Sequence, residues 1–311
     1  MRFASLIEAI GHTPLVELRR YSPRAGVHIY AKLEGHNPTG SLKDRIAKYM
    51  IEKAEREGLL TRDKVILEPT SGNTGISLAM VARIKGYRIK VVIPENVSPE
   101  RVEVLKLYGA DIAYSPGDKG TNGSIEVAQK MAQEDSRYFM PYQYGNQANP
   151  QAHYETTAQE IIDDLPQVDM FVAGLGTGGT LMGVGRRLKE HNPQVKVMAA
   201  VPHPGELIFG LRSLDEGFIP PIVDLTLLDG RIVVESAEAF RATRELLERE
   251  GIFAGVSSGA VMACVQRLAA RMEKGNIAAL LADGGWKYLS TRLWTRAYDE
   301  MEPQVQGMVW W

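Results

Sequence analysis

A lysine stands near a predicted helix start in the stretch NPTGSLKDR, residues 37–45. Ser41 and Asp44 have the spacing of a capping pair, so the pattern predicts a helix from Ser41 to about Gly58. Lys43 falls in the first turn of that helix. A lysine near apolar neighbours and a positive helix end has its ammonium form disfavoured, which leaves an amine able to act as nucleophile or base.

Lys43 and most other charged residues of this helix are predicted to lie on opposite sides of it. At about 100° per residue, Lys43 shares a side with Ala47, Met50 and Ala54. The opposite side is predicted to face solvent and to carry Arg45, Lys48, Glu52, Glu55 and Arg56. A first-turn lysine can also extend its stem into solvent, so a surface role for Lys43 stays open on this ground alone.

A glycine-rich turn follows an apolar strand in DMFVAGLGTGGTLMGVGRRLKE, residues 169–190, and precedes a helix predicted from Thr180. Such a turn exposes backbone N–H groups at a helix N-terminus, where the helix dipole favours phosphate. The turn is therefore a candidate phosphate site. A tight turn without any ligand is the alternative.

The same turn also satisfies the spacing G-x-G-x-x-G, through Gly174, Gly176 and Gly179. In a nicotinamide-dinucleotide site, this motif is followed by an acidic residue after the next strand. This chain has Val201 and Pro202 there. A nicotinamide-dependent oxidoreductase is consequently the weaker interpretation.

A second polar turn, in LEPTSGNTGISLAM (residues 67–80), joins a strand to a helix predicted from about Asn73. Hydroxyl groups, an amide and free N–H groups at a helix start suit a carboxylate. Taken alone, the turn is equally compatible with a plain N-terminal cap. The residues concerned are Thr70, Ser71, Asn73 and Thr74.

The elements that must position these turns alternate between short apolar strands and helices. This alternation predicts an α/β fold of two lobes, each a mostly parallel twisted sheet flanked by helices. A length of 311 residues suits two lobes with a cleft between them. We place the N-terminal lobe at 1–147 and the C-terminal lobe at 148–311, with the first 35 or so residues packing on the other lobe.

Composition excludes several classes of function. The 36 basic and 38 acidic side chains give a net charge of −2 without a basic block, which argues against nucleic-acid binding. Neither a signal peptide nor a membrane span is indicated. Cys264 is the one cysteine, in a helical pattern that predicts a core position, and a reducing cytoplasm is the expected location.

Four stretches together resemble one family. NPTGSLKDR, PTSGNTGISLAM, GTGGT and GIFAGVSSGA, in this order and spacing, are similar to the fold-type II pyridoxal-phosphate enzymes, and among them to the cysteine synthases. The similarity runs from IGHTPLVEL near the N-terminus to KYLST near the C-terminus. It implies an active site in the cleft between the lobes and pyridoxal 5′-phosphate as cofactor, without a metal.

The resemblance also implies roles for individual residues. Lys43 would form the internal aldimine with the cofactor, and Asn73 would hydrogen-bond its 3′ oxygen. Ser257 would face the pyridine nitrogen, where a neutral hydroxyl weakens the ring as an electron sink. The residues implied to hold the cofactor phosphate are Gly176, Thr177, Gly178, Gly179 and Thr180. Those implied to hold the substrate carboxylate are Thr70, Ser71, Asn73, Thr74 and Gln143.

The implied reaction is β-replacement on an activated L-serine. Lys43 removes the α-proton, an α-aminoacrylate forms, and a sulfur nucleophile adds to give L-cysteine. In GLRSLDEGFIP, Arg212 could donate two hydrogen bonds to a phosphate. With DGGWKYLST and the C-terminal QGMVWW, this resembles the actinobacterial O-phosphoserine sulfhydrylases, a type B/M cysteine synthase.

That closer resemblance implies O-phospho-L-serine in preference to O-acetyl-L-serine, although enterobacterial type-B synthases that use O-acetylserine carry arginine at the same place. It also implies sulfide or a thiocarboxylated ubiquitin-like carrier protein as sulfur donor, a C-terminal tail that enters the active site, and a homodimer. A cystathionine β-synthase-like enzyme, a serine or threonine dehydratase and a catalytically silent homologue are the remaining alternatives.

Overall fold

The computed structural model describes residues 2–70, 72–206 and 208–296. Strands and helices alternate along most of this part of the chain. Its strands are β1 (Leu15–Glu17), β2 (Val27–Leu33), β3 (Val65–Pro69), β4 (Arg88–Pro94), β5 (Asp111–Ser115), β6 (Tyr138–Phe139), β7 (Met170–Gly174), β8 (Lys196–Pro202), β9 (Gly230–Val234) and β10 (Gly275–Leu281). Its α-helices are α1 (Lys43–Arg56), α2 (Asn73–Lys85), α3 (Pro99–Leu107), α4 (Gly120–Glu134), α5 (Ala148–Ala152), α6 (Ala158–Asp164), α7 (Gly179–His191), α8 (Ser236–Glu250) and α9 (Val256–Ala269).

Two sheets organise these strands. The small sheet has the order β5-β4-β3-β6, and the large sheet has the order β1-β2-β10-β7-β8-β9. Every pairing is parallel except that of β1 with β2. Parallel neighbours need a crossover connection, which the intervening helices supply. The predicted α/β architecture of two mostly parallel sheets is therefore confirmed.

The N-terminal strands belong to the large sheet. β2 pairs with β10, so that Ile29 lies opposite Ile277, although the two residues are far apart in sequence. The chain then crosses to the small sheet at α1 and returns before β7. The division of the chain between residues 147 and 148 falls at the start of α5 and stays a prediction.

Each sheet is packed between apolar layers. One cluster around the small sheet includes Ile46, Met50 and Ile66, while two clusters cover the faces of the large sheet. Cys264 on α9 is fully buried in one of these, which confirms its predicted core position. Burial raises the pKa of its thiol to about 12. No helix in the described ranges is long and apolar enough to cross a membrane.

The start of α1 differs in detail from the prediction. Helix α1 begins at Lys43, whose N–H donates to Ser41 Oγ at 3.2 Å, so Ser41 does act at the helix start. Asp44 instead accepts hydrogen bonds from the N–H and hydroxyl of Thr39, at 2.7 and 2.5 Å. The predicted capping role of Asp44 is therefore wrong, because the preceding turn offers its carboxylate two donors.

Arg45 is not on the surface, and that prediction is wrong. Its side chain is 1% exposed, and its guanidinium donates to Glu34 at 2.7 and 2.8 Å and to Glu160 at 2.6 and 2.8 Å. Lys32 from β2 also contacts Glu160, at 2.8 Å. These four residues form a buried ion network that joins α1 to β2 and α6. Periodicity marked Arg45 as solvent-facing because helical spacing contains no information about acidic partners outside α1.

Candidate active site

A cleft between the sheets gathers most of the predicted site residues. Thr70 follows β3, Gly176 follows β7 and Asp283 follows β10, so the cleft lies at the carboxyl ends of parallel strands, where α/β proteins bind ligands. The predicted residues that line it are Lys43, Thr70, Asn73, Thr74, Gln143, Gly176, Thr177, Gly178, Thr180, Arg212 and Ser257. Gly179 continues the loop of Gly178, and Ser71 lies outside the described residues.

The Lys43 side chain lies in this cleft. Burial lowers the pKa of its ammonium to about 8, although the nearby carboxylate of Asp283 opposes the change. None of the described side chains or backbone groups forms a hydrogen bond with its Nζ. The amine is thus free to react, and a large fraction of it is neutral near pH 8.

The glycine-rich loop presents free donors. The backbone N–H groups of Gly176, Thr177 and Gly178 have no hydrogen-bond acceptor in the described chain, and helix α7 begins at the next residue. Gly178 has a φ of 88°, which favours glycine. A Cβ on Gly179 would lie 1.8 Å from Asn149 Oδ1. Free N–H donors at a helix start suit an anion that accepts from the backbone.

Two residues that the sequence did not indicate hold the loop hydroxyls. Asn149 Nδ2 donates to Thr177 Oγ1 at 3.1 Å, and His153 Nε2 contacts Thr180 Oγ1 at 3.2 Å. Burial lowers the pKa of His153 to about 3, so the ring is neutral. Asn149 lies in α5 and His153 directly follows that helix, and no sequence pattern connects them to the loop.

The second polar turn lies across the cleft at the start of α2. Thr74 Oγ1 donates to Gln143 Oε1 at 2.7 Å, so two predicted carboxylate-binding residues contact each other. Buried Glu68 accepts from the backbone N–H groups of Tyr142 and Gln143, at 2.9 and 3.1 Å. Burial raises the pKa of Glu68 to about 7. Glu68 holds the segment that carries Gln143 and was missed from the sequence.

Asn73 is held at both ends of its amide. Its Nδ2 donates to Asp283 Oδ2 at 2.7 Å, and its Oδ1 accepts from Lys287 Nζ at 2.5 Å. Tyr288 also donates to Asp283 Oδ2, at 2.6 Å, whereas the buried Oδ1 of Asp283 has no hydrogen-bond partner. The available sequence signal for this group was a charged residue, Asp283, two positions after the apolar strand β10.

Ser257 and Ser258, the adjacent serines at the start of α9, differ in position. Ser257 lines the cleft, whereas Ser258 is fully buried and its Oγ has no hydrogen-bond partner. Ser257 is therefore the serine available to a ligand in the cleft.

Arg212 lies beside the glycine-rich loop. Its backbone N–H donates to Leu175 O at 2.8 Å. Its guanidinium carbon is 4.7 Å from the ring centre of Phe218 and 5.6 Å from that of Tyr144, and Nη1 donates to Asn122 Oδ1 at 3.5 Å. Among the side chains that the structure describes, no carboxylate forms an ion pair with Arg212. A cation held by aromatic faces without an acidic partner favours an anionic ligand.

The cleft thus offers an anion-binding loop, a reactive amine and a second polar turn in one space. The sequence profile of the family described as "Pyridoxal-phosphate dependent enzyme" matches residues 6–283. The chain belongs to this family.

Individual relatives narrow the assignment of this pyridoxal-phosphate-dependent enzyme. A cysteine synthase of a Flavobacterium species is 44% identical over 263 residues, which cover 82% of this chain and 85% of the relative. A probable cysteine synthase of Bacillus subtilis (strain 168) is 41% identical over 304 residues, 94% and 98% of the two chains. The enzyme is therefore a transferase of the cysteine synthase family.

A solved structure shows that the similarity to known proteins includes the three-dimensional fold of nearly the whole chain. The crystal structure of an O-ureido-L-serine synthase superposes with a TM-score of 0.90 at 37% identity, covering 97% of this chain and all of that one. The fold-type II architecture implied by the sequence is confirmed. The enzyme uses pyridoxal phosphate, and the cleft fits it, because the free N–H groups of the 176–178 loop suit a phosphate and the Lys43 amine suits an aldehyde.

The depressed pKa of Lys43 predicts how the enzyme takes up its cofactor. The neutral amine is the form that attacks an aldehyde, so the uptake rate should rise with pH and level off above about pH 8. We expect this profile when apo-enzyme is mixed with pyridoxal phosphate and the growth of visible absorbance is followed. Free Nα-acetyl-lysine, with an ordinary pKa of about 10.4, is the control. A protein midpoint equal to that of the control would contradict the prediction.

Proposed function

We propose that this enzyme is a type B/M cysteine synthase that makes L-cysteine by β-replacement on O-phospho-L-serine, which it prefers to O-acetyl-L-serine. The observation that carries the preference is the position of Arg212 beside the glycine-rich loop, without an acidic partner in the described chain. A guanidinium can donate two parallel hydrogen bonds to a phosphate, whereas an acetyl ester carries no charge to match it.

The proposed cofactor contacts are supported by the geometry of the cleft. Lys43 would hold pyridoxal phosphate covalently, and the loop of Gly176, Thr177, Gly178, Gly179 and Thr180 would hold its phosphate. Asn73 and Ser257 would contact the ring substituents and the ring nitrogen. This assignment is supported by the three free N–H groups and by the reactive state of the Lys43 amine.

The substrate carboxylate is proposed to bind at the start of α2. Thr70 and Ser71 would supply hydroxyl donors, and Asn73 and Thr74 would supply backbone N–H groups at the helix start. Gln143 would add its amide Nε2, because its Oε1 already accepts from Thr74. Arg212 would then contact the group attached to the β-carbon. Carboxylate and leaving group would thus be bound at separate places, which orients the α-carbon toward Lys43.

The reaction steps are assigned to residues of this chain. Once the substrate amino group has displaced it, the neutral Lys43 amine removes the proton from the α-carbon of the substrate. When bound, pyridoxal phosphate supplies an electron sink for the pair that this proton leaves behind. The phosphate departs with the electrons of its bond to the β-carbon, and Arg212 stabilises the charge that it carries away. The sulfur nucleophile bonds to the β-carbon, and the Lys43 ammonium returns the proton to the α-carbon.

The sulfur donor, the assembly and the location belong to the same proposal. Sulfide or a thiocarboxylated ubiquitin-like carrier protein would supply the sulfur, and a homodimer in the cytoplasm would be the working form. The resemblance of the sequence to O-phosphoserine sulfhydrylases supports the carrier protein. The C-terminal tail that this resemblance places in the active site lies outside the described residues, because the description ends at residue 296.

The substrate preference can be measured with an Arg212→Ala variant. We expect kcat/KM for O-phospho-L-serine to fall by about 10- to 100-fold, because hydrogen bonds to a charged group contribute about 1.5–3 kcal/mol. The value for O-acetyl-L-serine should change little. Arg231→Ala is the control, since Arg231 pairs with Asp215 at 3.3 Å on the surface. A wild-type preference for O-acetyl-L-serine that survives in Arg212→Ala would overturn the phosphoserine proposal.

Product analysis distinguishes the remaining reaction classes. With sulfide present, a cysteine synthase yields L-cysteine. Release of pyruvate without sulfur incorporation would instead indicate a dehydratase, and efficient use of homocysteine would indicate a cystathionine β-synthase-like enzyme. A protein that binds pyridoxal phosphate but converts none of these substrates would be a silent homologue.

A further inference from the structure

The Asn73 amide joins two charged residues from the other side of the cleft. Asn73 begins α2, which packs on the small sheet, whereas Asp283 and Lys287 follow β10 of the large sheet. Lys287 Nζ donates to Asn73 Oδ1 at 2.5 Å, and Asn73 Nδ2 donates to Asp283 Oδ2 at 2.7 Å. Both contacts are charge-assisted and are therefore stronger than bonds between neutral groups.

The charges fix which way the amide faces. Its oxygen lies against an ammonium and its nitrogen lies against a carboxylate. Exchanging the two ends would place an N–H group against Lys287 and an oxygen against Asp283, and both contacts would become repulsive. An uncharged setting would leave both orientations of the amide accessible, whereas this one selects a single orientation.

The two charged side chains are themselves held in place. Asp283 and Lys287 are each only 2% exposed, and Tyr288 donates a hydrogen bond to the same carboxylate oxygen of Asp283 at 2.6 Å. Buried charges lose much of their water, so they keep the polar partners that they have. The contacts of Asp283 and Lys287 with Asn73 are thus preorganised by the fold.

We propose that Asp283 and Lys287 are positioning residues, which fix the Asn73 amide so that its second N–H, and not its oxygen, faces the ligand in the cleft. An amide nitrogen carries two N–H groups, and the structure describes a partner for one of them. Asn73 lines the cleft, so the other is available to an acceptor oxygen of the cofactor. This inference rests on the proposed contact between Asn73 and pyridoxal phosphate.

The test uses Lys287→Met, which keeps most of the apolar stem and removes the ammonium. We expect the dissociation constant for pyridoxal phosphate to rise by about tenfold, the effect of one charge-assisted hydrogen bond, together with a shift of the visible band of the holoenzyme. Lys287→Arg keeps a charged donor and should resemble the wild type. If Lys287→Met does not fold, Asp283→Asn serves, because it keeps the size of the side chain and removes the charge that selects the amide orientation.

A double-mutant cycle shows whether Lys287 acts through Asn73. In an Asn73→Ala background, Lys287→Met should change the dissociation constant less than about twofold, because the group that it positions is gone. The same tenfold effect in both backgrounds would overturn the inference. Failure of the wild type to bind pyridoxal phosphate would contradict the proposed function itself. Weakened binding by Asn73→Ala together with normal binding by Lys287→Met would contradict only this inference.

Discussion

Lys43→Ala is expected to lower the rate of cysteine formation by about 10³-fold or more, because a positioned base alone contributes about 10² to 10⁴. The Lys43 amine lies in the cleft, free of hydrogen bonds to the described chain and with its pKa near 8. The variant should still fold, since the substitution removes an amine that forms no hydrogen bond with the described residues. Initial rates of L-cysteine production from O-phospho-L-serine and sulfide measure the loss.

Lys48→Ala is the matched control for this substitution. Lys48 lies on the same helix, but it lines a separate groove on the outside of α1 together with Glu52 and Gln151. Its removal should leave the rate within about twofold of wild type, as expected for a surface position. A Lys43→Ala enzyme that kept a tenth or more of the wild-type rate would show that another group removes the α-proton.

Arg45→Met is expected to lower the free energy of unfolding by about 3–5 kcal/mol, the usual cost of breaking a buried ion pair. The substitution would leave Glu34, which is fully buried, and Glu160 without their shared guanidinium. Lys32 could still compensate Glu160, from a distance of 2.8 Å. Guanidinium chloride unfolding, followed by circular dichroism, would measure the change in midpoint and free energy.

A substitution at an exposed ion pair is the control for Arg45→Met. Arg186 contacts Glu190 at 3.2 Å on α7, and the two side chains are 70% and 42% exposed. Arg186→Met should therefore change the free energy of unfolding by no more than about 0.5 kcal/mol. Equal losses for Arg45→Met and Arg186→Met would show that the buried network contributes no more to stability than a surface pair.

The sequence predicts the local elements better than their long-range partners. The alternation of apolar strands and helices indicated two parallel sheets, and both are present. The same periodicity placed Arg45 in solvent, because it describes one helix and contains nothing about Glu34 or Glu160. Burial of a charge depends on partners that only the folded chain brings together, and this limits prediction from helical spacing.

In the candidate site, too, the sequence indicates residues with a local signature and misses those whose partners are distant in sequence. The placement of Lys43 and the loop at Gly176 in the cleft was predictable, because a helix start and a glycine-rich turn have local signatures. Asp283 and Lys287 were missed, since their contact with Asn73 joins residues more than two hundred positions apart. Ser71, predicted to bind the substrate carboxylate, lies outside the described residues and stays a prediction.

The burial of Cys264 has a practical consequence for assays of this enzyme. The protein has one cysteine, and its thiol is fully buried with its pKa raised to about 12. Thiol reagents react with the thiolate, so the folded protein should consume almost none at neutral pH. Once unreacted sulfide has been removed, a colorimetric thiol titration can therefore quantify newly formed L-cysteine in the presence of stoichiometric enzyme. Reagent uptake by the protein alone would then serve as a signal of unfolding.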